Sequence, residues 1–70
     1  MNLTQVNIGE KRIIKEIVMD DSELQAFLFS LGCYSGEEIT VIDRKRSSLV
    51  VAIKDARYCI DKSLAMAILV

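Results

Sequence analysis

Only one stretch of this 70-residue chain has a helical period, and it is too short to stand alone. In "DDSELQAFLFSLG" the residues Leu24, Phe27, Leu28 and Leu31 fall at i, i+3, i+4 and i+7, the spacing of one buried face. Asp20 stands where an N-cap would, with Glu23 three residues on to close a capping box. Gly32 suits the left-handed position just past the helix end. A helix over residues 21–31 is about three turns long and marginal in water, so it must lie on other structure.

The rest of the chain offers strands. Residues 12–19, "RIIKEIVM", are rich in β-branched side chains and predict one long strand. Ile13, Ile17 and Met19 share one of its faces, Ile14 and Val18 the other. Apolar residues on both faces predict a strand that coils and serves two parts of a core. "EEITVIDR" puts Ile39 and Val41 on one face. "SLVVAIKD" does the same with Leu49, Val51 and Ile53, and "RYCID" with Tyr58 and Ile60. The breaks "KRS" and "KDAR" are short and polar, as in a meander of hairpins. "DKSLA" reads as one helical turn near 62–65, and "AILV" as a closing strand. Short antiparallel strands with apolar residues on both faces close on themselves and so remove their edges.

Composition bounds the function. Hydrophobic residues make up 51%, with three glycines and no proline, so the chain is one compact domain over 1–70 with regular structure throughout. Two cysteines are too few for a disulfide scaffold. The net charge of −1 provides no general pull toward nucleic acid or anionic membrane. The longest apolar run, "AMAILV", is far below the roughly 20 residues of a membrane span. "MNLTQVNIGEKR" has no signal-peptide pattern, which predicts a cytoplasmic protein without membrane insertion. Histidine is absent, and with it the usual acid/base group near neutrality and the commonest neutral metal ligand. No carboxylate pair, nucleophile with its base or nucleotide loop can be assembled, so neither catalysis, a metal nor a cofactor is expected.

Several residues nevertheless stand out. Gly32 and Gly36 read as structural turns, because a phosphate loop would open a helix where this one closes. Cys33 follows a helix C-terminus, the wrong end of the dipole for a reactive thiolate, and is expected at the surface; Cys59 lies within a strand and is expected to pack as a small hydrophobe. Phe29 lies off the helix stripe. It either extends the core or joins Cys33 and Tyr34 in an exposed patch of the kind that marks protein interfaces. Arg44, Lys45 and Arg46 form a basic hairpin, either a solvated turn or a contact for an acidic surface, with Lys54 and Arg57 expected beside it. Asp20 and Asp21 read as a helix start. An exposed strand edge would also let the chain pair with a copy of itself.

The order of these elements resembles the FeoA family. The resemblance rests on an L-x-x-L-G-x-x-x-G-x-x-I-x-V-I pattern through Leu28, Leu31, Gly32, Gly36, Ile39, Val41 and Ile42, with Gly9 before the first strand and Ala65 and Ile68 in the closing segment. Gln25 and Ala26 stand where members often carry arginine, and Ser35 where they often carry proline. The resemblance implies a mainly-β fold: a small SH3-like β-barrel of about five antiparallel strands with one inserted helix. It implies an accessory role in ferrous iron uptake, with the cytoplasmic part of the transporter FeoB as partner and Phe29, Cys33, Tyr34, Arg44, Lys45 and Arg46 as the candidate contacts. The same domain is similar to the C-terminal module of metal-dependent repressors, so a stand-alone regulatory or metal-responsive module stays open. A small-barrel nucleic-acid binder is the remaining alternative, disfavoured by the charge.

Overall fold

The computed structural model describes residues 1–70. It opens with a single 3-10 turn, Leu3–Gln5, closed by a capping box: the Asn2 side chain accepts from the Thr4 N–H and the Gln5 side chain from the Asn2 N–H, both at 2.9 Å. There follow β1 (Lys11–Ile13), β2 (Glu16–Ile17), α1 (Ser22–Ser30), β3 (Glu38–Arg44), β4 (Ser48–Ile53), β5 (Ala56–Asp61), α2 (Lys62–Met66) and β6 (Ile68–Leu69). The six strands form two antiparallel sheets, one in the order β1-β3-β4-β5 and the other β2-β6.

The long strand expected over residues 12–19 is divided between these sheets. Lys11–Ile13 pairs with Glu38–Thr40, whereas Glu16–Ile17 pairs with Ile68–Leu69. The Ile14 N–H donates to the Glu37 carbonyl at 2.9 Å, and the next N–H, of Lys15, donates to the Leu69 carbonyl at 2.8 Å. The chain therefore passes from one sheet to the other between two consecutive residues. Ile14 is the side chain this crossing buries, at 1% exposure. Ile13 and Val18, expected in the core, are more than half exposed, although Ile13 pairs with Glu38 and the Val18 N–H donates to the Ala67 carbonyl at 2.8 Å.

The meander of β3, β4 and β5 follows its alternation. Ile39, Val41, Leu49, Val51, Ile53 and Ile60 all point inward and are buried. A bulge in β3 between Val41 and Asp43 bends that strand. The inward residues meet Leu3, Val6, Ile14, Leu28, Cys33, Leu64, Ala65, Ile68 and Val70 in one core shared by both sheets and both helices.

Helix α1 departs from expectation in two ways. Its N-cap is Asp21, not Asp20: the Asp21 carboxylate accepts from the N–H groups of Glu23 at 2.9 Å and Leu24 at 3.2 Å. The Asp20 carboxylate makes no capping bond, because the backbone turns into the helix one residue later, at Asp21. Nor does the apolar stripe bury as a unit. Leu28 is fully buried and Leu31 partly so, but Leu24 is 41% and Phe27 47% exposed. The helix is held by its C-terminal end, where Leu31 and Cys33 both donate their N–H to the Leu28 carbonyl, at 3.1 and 3.0 Å. Just beyond, the Ser35 hydroxyl donates to the Lys15 carbonyl at 2.8 Å. The core beneath is already filled by strand residues, so the first turns of α1 stand clear of it.

This anchoring separates residues that the helical period treats alike. Leu28→Ala should lower the unfolding free energy by about 2–5 kcal/mol, whereas Leu24→Ala should change it by about 0.5 kcal/mol, as at other surface positions. Urea denaturation of both variants checks this, and equal losses would mean that the helix lies flat on the sheet.

Candidate protein-binding site

The C-terminal end of α1 abuts the turn between β4 and β5, and Gly32 makes that approach possible. Its φ of 96° lies in the left-handed region, and a Cβ there would come within 3.1 Å of the Ile53 Cγ2. Two residues on, the Tyr34 ring meets Phe29 edge to face, with centroids 6.4 Å apart and an interplanar angle of 78°. The Lys54 ammonium donates to the Tyr34 hydroxyl at 3.0 Å and lies 5.3 Å from the ring centroid. Phe29 and Tyr34 are 46% and 37% exposed, so the cluster faces solvent. Leu31, Ile53 and Tyr58 line the open groove beside it.

Lys54 is held in an unusual backbone conformation. It begins the two-residue turn between Ile53 and Ala56 with φ 55°, the one non-glycine residue of the chain with positive φ. The hydrogen bond to Tyr34 and, next, the Glu37 carboxylate hold its pKa above the usual lysine value. The groove therefore presents a fixed cation beside two aromatic rings.

The other candidates are distributed differently from the sequence reading. Cys33 is fully buried, not at the surface, because the left-handed turn at Gly32 reverses the chain beneath the helix. Burial pushes its thiol up to about 11, so it is neither a nucleophile nor part of the patch. Cys59, expected to pack inside, is exposed, since the register of β5 turns Arg57, Cys59 and Asp61 outward. The Arg44 guanidinium is turned back onto the N-terminal segment, donating to the carbonyls of Val6 and, at 3.1 Å, Thr4. Lys45 and Arg46 remain exposed in the hairpin loop. Lys54 and Arg57 do not flank that loop: it precedes β4, they follow it, and the six residues of Ser48–Ile53 put about 20 Å between. Gly36, also in the left-handed region at φ 93°, makes the turn into β3, where its N–H donates to the Ile14 carbonyl at 2.8 Å.

The structure thus unites Phe29 and Tyr34, buries Cys33, and leaves the basic hairpin at the far end of β4. Sequence reasoning did not associate Lys54 and Tyr58 with the aromatic pair. The hairpin pattern does place Lys54 at a turn tip, but nothing local indicates that this tip meets the end of α1. No three Cys, Asp or Glu side chains converge as metal ligands, and no helix is long and apolar enough to cross a membrane.

The family model described as FeoA domain matches residues 1–70. The chain belongs to the FeoA domain family. A FeoA described as an iron uptake regulatory protein superposes with a TM-score of 0.85 at 22% identity, over 97% of this chain and 91% of that one. The zinc complex of Stenotrophomonas maltophilia FeoA, described as a prokaryotic SH3 domain protein and a candidate activating factor of ferrous iron transport, superposes at 0.86 with 18% identity, over 99% and 87%. A manganese-dependent transcriptional repressor superposes at 0.89 with 21% identity, over 97% of this chain but 39% of the repressor. No curated protein sequence matches this FeoA domain. At these identities the superpositions establish the fold, and the two sheets are the SH3-like arrangement that the resemblance implied.

Two measurements check the thiols of this FeoA domain. A maleimide should modify one cysteine of the native chain, Cys59, and reach Cys33 only on unfolding. Because the Cys33 thiol is raised from 9.0 to about 11, the unfolded chain gives up that proton first; stability should fall as pH rises from about 9 to about 11. The slope over that window should be shallower in Cys33→Ala, as read by denaturant midpoints.

Proposed function

We propose that this FeoA domain is a non-catalytic accessory protein of ferrous iron uptake. In this reading it works in the cytoplasm, docking on the cytoplasmic part of the membrane transporter FeoB and adjusting the transporter's assembly or activity. The observation that carries the reading is the match to the FeoA family over residues 1–70. The names of its structural neighbours, an iron uptake regulatory protein and a candidate activating factor of ferrous iron transport, support it.

The docking surface in this proposal is the groove of Phe29, Tyr34 and Lys54. Two half-exposed rings and a cation, held on the end of the fold by Gly32, form the kind of aromatic anchor that dominates protein interfaces. Lys45 and Arg46 are rim charges that would steer encounter more than hold the complex. A second reading, a metal-responsive regulatory module, draws on the manganese-dependent repressor, in which the same fold makes up 39% of the chain.

Co-purification with the FeoB cytoplasmic domain tests the proposal. Phe29→Ala and Tyr34→Ala should each weaken capture about tenfold or more, with Lys45→Ala and Arg46→Ala mainly increasing its salt sensitivity. If loss came instead from Leu24→Ala and Phe27→Ala, the docking face would be the opposite side of α1. No capture by the wild-type chain, together with manganese or iron binding in titration calorimetry, would favour the metal-responsive module.

A further inference from the structure

We propose that this chain forms a two-fold dimer through the free edge of β5, with Cys59 opposite Cys59 and Arg57 opposite the second copy's Asp61. β5 pairs on one side only, with β4, in a register running from Ser48 opposite Asp61 to Ile53 opposite Ala56. The Lys62 N–H donates to the Ser47 carbonyl at 2.9 Å and extends that ladder by one pair. Hydrogen-bonded pairs alternate along an antiparallel ladder. Counting back from Lys62 by twos, Ile60, Tyr58 and Ala56 direct their peptide groups at β4. Arg57, Cys59 and Asp61 therefore direct theirs outward, where no strand pairs with them; the Asp61 carbonyl, at the N-cap of α2, is the one also engaged by a helix. An open row of peptide groups of this kind is a template for another strand.

The side chains on that row select the occupant. Arg57 and Asp61 are both exposed, and neither joins the two ion pairs of the chain, Lys11–Glu38 and Arg12–Glu10. Asp61 precedes α2 as its N-cap residue, yet its carboxylate makes no capping bond. Four residues apart on one strand, the two charges are separated by about 13 Å and cannot meet within a chain. Only a second chain can pair them. A two-fold axis through Cys59 sets each Arg57 opposite an Asp61, with every outward peptide group in step. Moving the axis to Arg57 or to Asp61 would set like charge against itself. The other edge strand, β1, is three residues long, and its Lys11 and Arg12 are already engaged with Glu38 and Glu10. An isologous pair built on β5 fits this asymmetry.

Charge reversal separates this proposal from a general effect on folding. In sedimentation equilibrium the wild-type mass should rise with concentration from 7.9 kDa toward twice that value. Arg57→Asp alone and Asp61→Arg alone should each stay monomeric, because each faces like charge across the axis. Mixed together, the two variants should dimerise, since every facing pair is again opposite in sign. A short bis-maleimide should join Cys59 to Cys59 in the wild type and in the mixture, but in neither variant alone. A wild type that stays monomeric throughout, a dimer indifferent to either reversal, or a mixture that fails to associate would each overturn the proposal.

Discussion

Fifteen side chains make up the shared interior, and β4 supplies three of them while α1 supplies one. At about 25 cal/mol per Å² of apolar surface removed from water, an interior of this size holds the fold together with little to spare. Its shape follows from the crossing at Ile14. By passing from one sheet to the other between residues 14 and 15, the chain encloses the core with strands on both sides. Once the strands have filled that space, the helix has no room to lie down. Leu28 enters, Leu31 follows partway, and Leu24 and Phe27 stay at the surface.

The exposed surface is therefore a consequence of the packing. The helix end, the Gly32 turn and the β4–β5 turn are pressed together by the approach at Ile53, which fixes Phe29, Tyr34 and Lys54 relative to one another. The basic hairpin lies at the opposite end of β4, and one of its three cations is spent on tying down the N-terminal segment. The exposed aromatic rings and the free cations of the hairpin thus lie at different ends of β4. The same fold accounts for 39% of a manganese-dependent repressor, which shows that it can be built into a larger chain as well as matched nearly end to end by other FeoA domains.

Much of this was legible in the sequence, and the misses share a cause. Alternation of period two identified Ile39, Val41, Leu49, Val51, Ile53 and Ile60 correctly, because strand faces are set locally. The helical period correctly showed that Leu24, Phe27, Leu28 and Leu31 share a side. It could not show whether the core had room for them all. Adjacent Asp20 and Asp21 are equally good cappers by composition, and only the backbone decides between them. Cys33 and Cys59 exchanged places for the same reason: one is turned inward by a left-handed glycine, the other outward by hairpin register. The contact of Lys54 with Tyr34 spans twenty residues and has no local signature.

Lys54 occupies a backbone geometry that glycine would fill with less strain, and its side chain is what closes over the Tyr34 ring. Foldability and surface chemistry thus pull in opposite directions at this one codon. An engineer optimising melting temperature alone would be led to glycine there and would strip the aromatic pair of its cation.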